Sequence, residues 1–211
     1  MHDLTTVRQA VLTGDAPAAL AAAREALGAG VKPIELVSEG ISPGMAEVGR
    51  LFEEGEYYVP DLLMAARATK EIFTILRPLL VETGVKPTAR VVLGTVQGDL
   101  HDIGKNLVAA MLEGGGFEVV DLGVDVPPEK FIAAVKEQQP QILGLSALLT
   151  TTMPAMRKAM EALGAAGVRE QVKIMVGGAP VTEEYAQAIG ADGYGENAAA
   201  SVDLARRLVG V

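Results

Sequence analysis

The segment Gln97–Asn106 contains the residues of this chain that are best suited to chemistry. It reads Gln-Gly-Asp-Leu-His-Asp-Ile-Gly-Lys-Asn, so that Asp99 precedes His101 by two residues. An imidazole can bind a metal through one ring nitrogen while the other nitrogen donates to a carboxylate, which fixes the tautomer and raises the basicity of the ligand. His101 is therefore a candidate metal ligand, with Asp99 as its partner. In the alternative, Asp99 or Asp102 caps the following helix and His101 is merely packed, and the residue types alone leave both interpretations open.

Few other side chains could bind a soft or borderline metal. The 211 residues include only two histidines and no cysteine. The absence of cysteine excludes disulfides, thiolate metal sites and cysteine nucleophiles. His2 stands second in the chain, where a built site is not expected. His101 is thus the one credible nitrogen ligand.

The net charge of the chain limits its possible partners. It is −9, from 27 acidic and 18 basic residues, whereas phosphate binding requires a basic face. We therefore expect no nucleic-acid partner. We also expect no membrane association, because no basic amphipathic segment and no run of 18 apolar residues occurs. The start Met1-His2-Asp3-Leu4 does not resemble a signal peptide, and a cytoplasmic protein is expected.

The first part of the chain, residues 1 to about 82, has helical periodicity and no strand pattern. Four helices are predicted, ending at Leu12, Leu27, Leu51 and about Leu80. Pro43 lies inside the third helix and predicts a kink or break there. The short connections favour a four-helix bundle.

Beyond the predicted linker Thr83–Thr88, strands and helices alternate. Strands are predicted at residues 90–95, 118–121, 142–146, 172–176 and 193–194, and helices at 103–112, 128–138, 154–163, 182–189 and 198–208. This alternation predicts a parallel, doubly wound sheet. Ligands of such folds bind beyond the carboxyl ends of the strands. The loops 96–102, 147–153 and 177–181 are therefore expected to form the site.

Three motifs, in this order, resemble the signature of cobalamin-binding domains. They are Asp99-x-His101-x-x-Gly104, Ser146-x-Leu148 and Gly177-Gly178. The segment Asp121-Leu-Gly-Val-Asp-Val-Pro127 matches as well. With the preceding helices, essentially the whole chain resembles the corrinoid proteins of the methylamine, methanol, glycine betaine and aryl methyl ether methyltransferase systems. It is also similar to the cobalamin-binding module of cobalamin-dependent methionine synthase.

The resemblance implies an α/β fold in two domains. Residues 1–83 would form an N-terminal four-helix bundle cap, and residues 88–211 a C-terminal Rossmann-like (flavodoxin-like) parallel-sheet cobalamin-binding domain. The implied cofactor is cobalamin or a related corrinoid, with its cobalt.

The resemblance also assigns roles to individual residues. His101 would replace the corrinoid's own lower base as the axial cobalt ligand, and Asp99 would hydrogen-bond to His101. Thr152 would complete the relay, at a position where the family more often has serine. The implied corrinoid contacts in the first loop are Gly98, Asp99, Leu100, His101, Asp102, Ile103 and Gly104. The implied slot for the nucleotide tail is lined by Gly104, Ser146, Leu148, Thr150, Gly177 and Gly178, with Tyr194 and Ala198 at its far end.

Several of these features also have a purely structural interpretation. Gly177-Gly178 taken alone reads as a strand-to-helix turn. The family lays apolar side chains over the upper corrin face, which implies that role for Tyr58 and Met64, but both could equally be ordinary bundle core. The acidic cluster Glu53, Glu54 and Glu56 is best interpreted as a solvated loop.

Three functions are compatible with these motifs. The favoured one is a corrinoid carrier that accepts a methyl group on cobalt from a substrate-specific corrinoid methyltransferase and passes it to a second methyltransferase acting on tetrahydrofolate or a thiol. A reductive activase is the further implied partner, and little turnover is expected from the carrier alone. A cobalamin-responsive regulator is the main alternative, although residues 1–82 show no basic recognition helix. The cobalamin subunit of a carbon-skeleton mutase is the third, but it would have no use for the helical cap.

Overall fold

The computed structural model describes residues 3–82 and 87–211 and divides into two compact units. The helical unit comprises Met1–Thr88 and Ala110–Phe117, and the sheet unit comprises Ala89–Ala109 and Glu118–Val211. His2 and residues 83–86 of the predicted linker lie outside the described residues. The functional division at residues 83 and 88 stays a prediction.

The helical unit contains the four predicted helical segments. Their bounds are α1 (Thr5–Leu12), α2 (Ala16–Gly28), a continuous stretch of α3 (Pro33–Glu35), one π-helical segment (Leu36–Ile41) and α4 (Ser42–Glu53), and then α5 (Val59–Glu82). Helix α1 packs against α2, α4 and α5, and α5 also packs against α2. Small and aliphatic side chains fill this core, with Ala19, Ala23 and Leu62 fully buried. Such small side chains allow the helix axes to approach closely.

The irregularity predicted at Pro43 takes the form of a π-helical segment that ends at Ile41. Proline has no backbone N–H, and its ring crowds the carbonyl four residues earlier, which is that of Glu39. In the structure this carbonyl accepts a hydrogen bond from Nη2 of Arg8 in α1 at 2.8 Å. The wider π-helical segment accommodates the ring, and a side chain replaces the missing backbone donor.

The sheet unit alternates strands and helices, as the sequence predicts. The strands are β1 (Arg90–Thr95), β2 (Glu118–Asp121), β3 (Ile142–Ser146), β4 (Lys173–Gly177) and β5 (Gly193–Gly195). The helices are α6 (Ile103–Gly114), α7 (Pro128–Gln138), α8 (Met153–Ala165), α9 (Glu183–Ile189) and α10 (Ala198–Val209), with a short 3₁₀ turn at Arg169–Gln171. Strand β4 was predicted one residue too early, because Val172 is buried but lies outside the ladder.

The five strands are parallel and lie in the order β2-β1-β3-β4-β5. This is the flavodoxin-like order, in which the chain leaves β1 for one side of the sheet and continues from β3 towards the other. The carboxyl ends of β1 and β3 are paired directly, Thr95 with Ser146. The predicted α/β class and flavodoxin-like topology are therefore confirmed. The loops after β1 and β3 start side by side at the topological switch point, where such folds bind ligands.

Helix lengths and apolar content also bear on membrane insertion. In the ranges 3–82 and 87–211, no helix combines the length and the apolar character needed to span a bilayer.

Candidate functional site

Asp99 is the centre of a hydrogen-bond network at the switch point. Its side chain is fully buried, with 0% exposure, in the loop after β1. Oδ1 accepts from the backbone N–H of His101 at 3.0 Å and lies 2.7 Å from Nδ1 of the His101 ring. Oδ2 accepts from the backbone N–H of Leu148 at 2.8 Å and from the Thr152 hydroxyl at 2.6 Å. One carboxylate therefore joins the β1 loop to the β3 loop.

The network keeps Asp99 ionised. Burial by itself raises the pKa of a carboxyl group, because the charged form loses its hydration. Hydrogen bonds from the Thr152 hydroxyl, from the backbone of His101 and Leu148 and from the His101 ring outweigh burial and hold the pKa of Asp99 well below its usual range. An ionised carboxylate only accepts hydrogen bonds, so the network requires Nδ1 of His101 to carry a proton.

His101 presents its second ring nitrogen to the outside. The side chain is 49% exposed although its partner is fully buried. No group in the described residues bonds to Nε2. With Nδ1 protonated, neutral imidazole has its free lone pair on Nε2, which is the form that binds a metal. The ring is thus oriented and its tautomer is fixed before any ligand arrives.

The geometry rejects the interpretation in which Asp99 or Asp102 is merely a helix cap. The Asp99 side chain bonds His101, Leu148 and Thr152, none of which lies in α6. The Asp102 side chain accepts from the side-chain amide of Asn106, at 3.1 Å, rather than from the helix backbone. His101 is likewise not a packed core residue, since half of its side chain is exposed.

Several large apolar side chains are exposed in the two segments that carry Asp99, His101 and Thr152. Leu100 is 71% exposed and Ile103 70%, immediately on either side of the His101–Asp102 pair. Leu148 and Leu149, next to the Asp99 network, are exposed as well. A group of exposed large apolar side chains favours a binding surface over ordinary surface. Together with the free Nε2 of His101, it would suit a largely apolar ligand that carries a metal.

Gly104, a predicted corrinoid contact, lies in the first turn of α6. A Cβ at this position would meet no protein atom within 4 Å, and its φ is not in the left-handed region. Neither packing nor backbone conformation therefore requires glycine here, and the contact of Gly104 with a corrinoid stays a prediction.

The other candidate residues of the sheet unit lie along the same carboxyl edge. Ser146 ends β3 and pairs with Gly177, which ends β4. Tyr194 lies in β5, half-buried, and Ala198 begins α10. Thr150 is exposed in the β3 loop. The sheet therefore brings the predicted tail-slot residues to one edge, and their contact with a nucleotide tail stays a prediction.

The backbone alone accounts for the glycine pair. A Cβ on Gly177 would stand 2.9 Å from the carbonyl oxygen of Gly195, and a Cβ on Gly178 would overlap the carbonyl of Ala147. Gly178 also has a φ of +131°, which other residues rarely adopt. Strand and loop packing thus requires both glycines, whether or not a ligand passes them.

In the helical unit, Tyr58 and Met64 are both exposed. The interpretation as ordinary bundle core is therefore wrong for these two residues. They share this property with Val59 and Leu63, so Tyr58 and the first two turns of α5 together present four exposed apolar side chains. The acidic cluster just before is exposed throughout. Within it, Glu54 pairs with Arg50 at 2.6 Å, which agrees with a solvated loop.

Several residues around the site were not predicted. Thr95 donates its hydroxyl to the carbonyl of His101 at 2.9 Å. Asp125 accepts at 2.7 Å from the backbone N–H of Gly98, and the buried Lys105 bonds Asp121 at 2.6 Å. Asp121 and Asp125 belong to a segment whose resemblance to the family was clear, but only the folded loop shows what they contact.

Comparisons with known proteins agree with this fold and site. The family described as B12 binding domain matches residues 89–203, and a second family of the same description matches residues 4–77. Trimethylamine corrinoid protein 1 of Methanosarcina acetivorans is 44% identical over 208 residues, 98% of this chain and 96% of that protein.

Two solved structures are similar over nearly the whole chain. A cobalamin-binding protein from Desulfitobacterium hafniense DCB-2 has a TM-score of 0.82 at 38% identity, covering 99% of both chains. The methanol:cobalamin methyltransferase complex MtaBC from Methanosarcina barkeri contains a chain with a TM-score of 0.85 at 33% identity, covering 98% of this chain and 79% of that one.

The protein has the parallel-sheet topology, the oriented histidine and the exposed apolar side chains of a flavodoxin-like cobalamin-binding module. The matches show that the chain belongs to the family of cobalamin-binding corrinoid proteins.

Proposed function

We propose that this protein is a corrinoid carrier, which accepts a methyl group on cobalt from a substrate:corrinoid methyltransferase and passes it to a second methyltransferase. The observation that carries the proposal is the Asp99–His101 pair. A fully buried carboxylate holds Nδ1 of a half-exposed imidazole at 2.7 Å and leaves Nε2 free at the switch point of the sheet. A carrier needs such an oriented axial ligand.

Each group of residues in the site would have a separate role in binding the corrinoid. Nε2 of His101 would hold the cobalt, in place of the corrinoid's own lower base. Asp99 and Thr152 would hold the Nδ1 proton and so adjust how strongly the imidazole donates. Leu100, Ile103 and Leu148 would give the corrinoid site an apolar surface and keep water away. A bound corrinoid supplies the chemistry itself, because its cobalt accepts and releases the methyl group.

We further propose the remaining predicted contacts and partners. The edge residues Ser146, Gly177, Gly178, Tyr194 and Ala198 would accommodate the displaced nucleotide tail. Tyr58 and Met64 would contribute the apolar surface of the helical cap. The second methyltransferase would act on tetrahydrofolate or a thiol, and a reductive activase would restore oxidised cobalt. A cytoplasmic location also stays part of this proposal.

The methyl donor is proposed to be a methylated amine. The relative of 44% identity is a trimethylamine corrinoid protein, and a dimethylamine corrinoid protein of the same organism is 45% identical over 201 residues. The chain related to the methanol complex is less similar, at 33% identity. Amine-dependent methylation of the carrier is therefore the first reaction to test, with methanol as the alternative substrate.

The ligand assignment is tested by reconstituting the protein with hydroxocobalamin and recording its visible spectrum. His101→Ala should leave the corrinoid bound but shift the spectrum, since only the axial ligand is removed. Glu161→Gln, which changes an exposed carboxylate of α8 with no predicted contact to the corrinoid, should give the native spectrum. An unchanged spectrum in His101→Ala contradicts the assignment of His101.

The carrier function is tested by supplying the reduced, reconstituted protein with trimethylamine, dimethylamine or methanol and the matching methyltransferase. Conversion of the corrinoid spectrum with one amine, followed by its reversal with an acceptor and second methyltransferase, is the expected result. Failure of every donor to methylate the carrier, under conditions where a related corrinoid protein is methylated, contradicts the function.

A further inference from the structure

The loop that carries His101 is held from a second side, by the segment Leu122–Pro127 between β2 and α7. The Asp99 side chain anchors the loop to β3, as described above. On the β2 side, the backbone N–H of Gly98 donates to Oδ1 of Asp125 at 2.7 Å, and the backbone N–H of Asp125 donates to the carbonyl of Asp99 at 3.0 Å. Asp125 thus bonds the backbone of both residues that lead into Leu100 and His101.

The backbone conformation of Asp125 supports a specific role. Its φ is +51°, and among the described residues only Gln139 is another non-glycine residue with positive φ. Such a conformation costs of order 1 kcal/mol and persists where the surroundings enforce it, often near functional sites. Gln139 is accounted for by its position as the left-handed C-cap of α7. Asp125 does not end a helix. Its left-handed conformation instead accompanies two hydrogen bonds, one to Gly98 and one to Asp99.

The segment around Asp125 is itself fixed to the sheet. Thr95 donates its backbone N–H to the carbonyl of Gly123 at 3.0 Å, and Val126 donates to the carbonyl of Thr95 at 2.9 Å. An isolated parallel bridge pairs Val96 with Val126. Asp125 therefore lies on backbone that continues the β1 pairing beyond the end of β2, and not on a loose loop.

A second contact ties the far end of the His101 loop to the same region. Lys105, in the first turn of α6, is buried and bonds Oδ2 of Asp121 at 2.6 Å. The other oxygen of Asp121 accepts from the backbone N–H of Gly123 at 2.9 Å. The His101 loop is therefore held before His101 by Asp125 and after it by Asp121.

We infer that Asp125 is a positioning residue for the axial ligand: its carboxylate fixes the Gly98–Asp99 backbone, and thereby the place at which Nε2 of His101 meets the cobalt. The inference rests on the proposed corrinoid function. It assigns Asp125 no contact with the corrinoid, because its recorded bonds go to the loop backbone.

Three variants separate the possible contributions of Asp125. Asp125→Asn keeps an acceptor oxygen and tolerates the left-handed conformation. Asp125→Gly relieves the conformation but removes the acceptor. Gln139→Gly is the matched control, because it makes the same backbone change at the other left-handed position without affecting the His101 loop.

The first measurement uses hydroxocobalamin as the probe. Asp125→Gly should bind it about tenfold more weakly and lose part of the spectral change that His101 causes, as is usual when a residue that orients a metal ligand is removed. Asp125→Asn and Gln139→Gly should behave as the native protein. Native affinity and spectrum in Asp125→Gly, or an Asp125→Asn variant as weak as Asp125→Gly, would overturn the inference.

The second measurement is hydrogen exchange of the protein without corrinoid. The Gly98 amide should lose its protection in Asp125→Gly and keep it in Asp125→Asn and Gln139→Gly. Unchanged protection of the Gly98 amide in Asp125→Gly overturns the inference that Asp125 fixes this backbone. The proposed function fails in a different way. If the Gly98 amide is protected in the native protein as expected, but His101→Ala does not change the corrinoid spectrum, then the proposed function is contradicted and the role of Asp125 in holding the loop is not.

Discussion

The two units of this protein differ in the hydrogen bonding of a buried threonine hydroxyl. In the sheet unit, Thr152 is 7% exposed and donates to Asp99, and it also lies 2.9 Å from the carbonyl of Leu149. In the helical unit, Thr69 is 1% exposed in the middle of α5, and its Oγ1 has no partner in the part of the chain that the structure describes. A buried hydroxyl without a partner costs about 1–3 kcal/mol.

The difference is between a buried polar group that belongs to a hydrogen-bond network and one that has no partner. Each carboxylate oxygen of Asp99 accepts from two donors, and the network joins two loops that are far apart in sequence. Such a network is sensitive to each of its members, because a half-satisfied buried group is expensive. The hydroxyl of Thr69 is buried as well, but it takes part in no such network. Four predictions test this contrast.

The largest effect is expected for Asp99→Asn. The side chain keeps its size, but its amide nitrogen must now face at least one of the four donors, and the buried negative charge is lost. The free energy of unfolding of the corrinoid-free protein should fall by about 3 kcal/mol. Urea denaturation followed by circular dichroism measures this. The control Asp102→Asn alters an exposed carboxylate in the same loop and should cost less than about 0.5 kcal/mol. Equal effects of both variants would contradict a special role for the Asp99 network.

The difference in unfolding free energy between the native protein and Asp99→Asn should depend on pH. Because folding lowers the pKa of Asp99, the folded state binds this proton less tightly than the unfolded state does. The contribution of Asp99 to stability is therefore fully present above the ordinary pKa of about 3.9 and is lost as the pH falls towards the lowered value.

The stability difference between the native protein and Asp99→Asn should consequently shrink as the pH falls below about 4. Denaturation curves at a series of pH values test this. A difference that shrinks on the alkaline side, or that does not change in acid, would show that the charge of Asp99 is not what stabilises the loops.

These predictions concern a network that the sequence reveals only in part. Asp99 and His101 are two residues apart, and this spacing predicted their pairing as one of two open interpretations. The alternating periods of the sheet unit likewise predicted its strands to within one residue. Thr152 came from resemblance to a family, because nothing in its own surroundings places it beside a residue 53 positions earlier.

The remaining features depend on tertiary contacts that no local pattern encodes. The left-handed Asp125 reaches Gly98 across 27 residues. Helical periodicity places Tyr58 and Met64 on a helix, but it cannot say which part of an apolar face lacks neighbours. The π-helical segment arises from Pro43 together with Arg8, since the arginine supplies the donor that proline removes. Periodicity thus predicted elements, and long-range contacts decided what their side chains do.

A smaller effect is expected for Thr152→Val. The hydroxyl is replaced by a methyl group of similar size, so Asp99 loses one of its four donors while packing is conserved. The free energy of unfolding should fall by about 1–2 kcal/mol. Thr152→Ser keeps the donor and should therefore retain nearly native stability and the native spectrum with hydroxocobalamin. If Thr152→Ser is as destabilised as Thr152→Val, keeping the hydroxyl does not preserve stability, and the hydrogen bond to Asp99 is not what stabilises this loop.

The smallest effect, and the one of opposite sign, is expected for Thr69→Val. Valine has the shape of threonine and a similar helix propensity, but no hydroxyl to bury. Removing an unpartnered polar atom from an apolar interior should therefore raise the free energy of unfolding by about 1 kcal/mol. Thr74→Val is the matched control on the same helix, where the hydroxyl is exposed and bonds the carbonyl of Glu71 at 2.6 Å. It should change stability little, since water replaces the lost bond. If Thr69→Val were instead as destabilising as Thr152→Val, the hydroxyl of Thr69 would have a partner in solution, and the contrast between the two units would no longer hold.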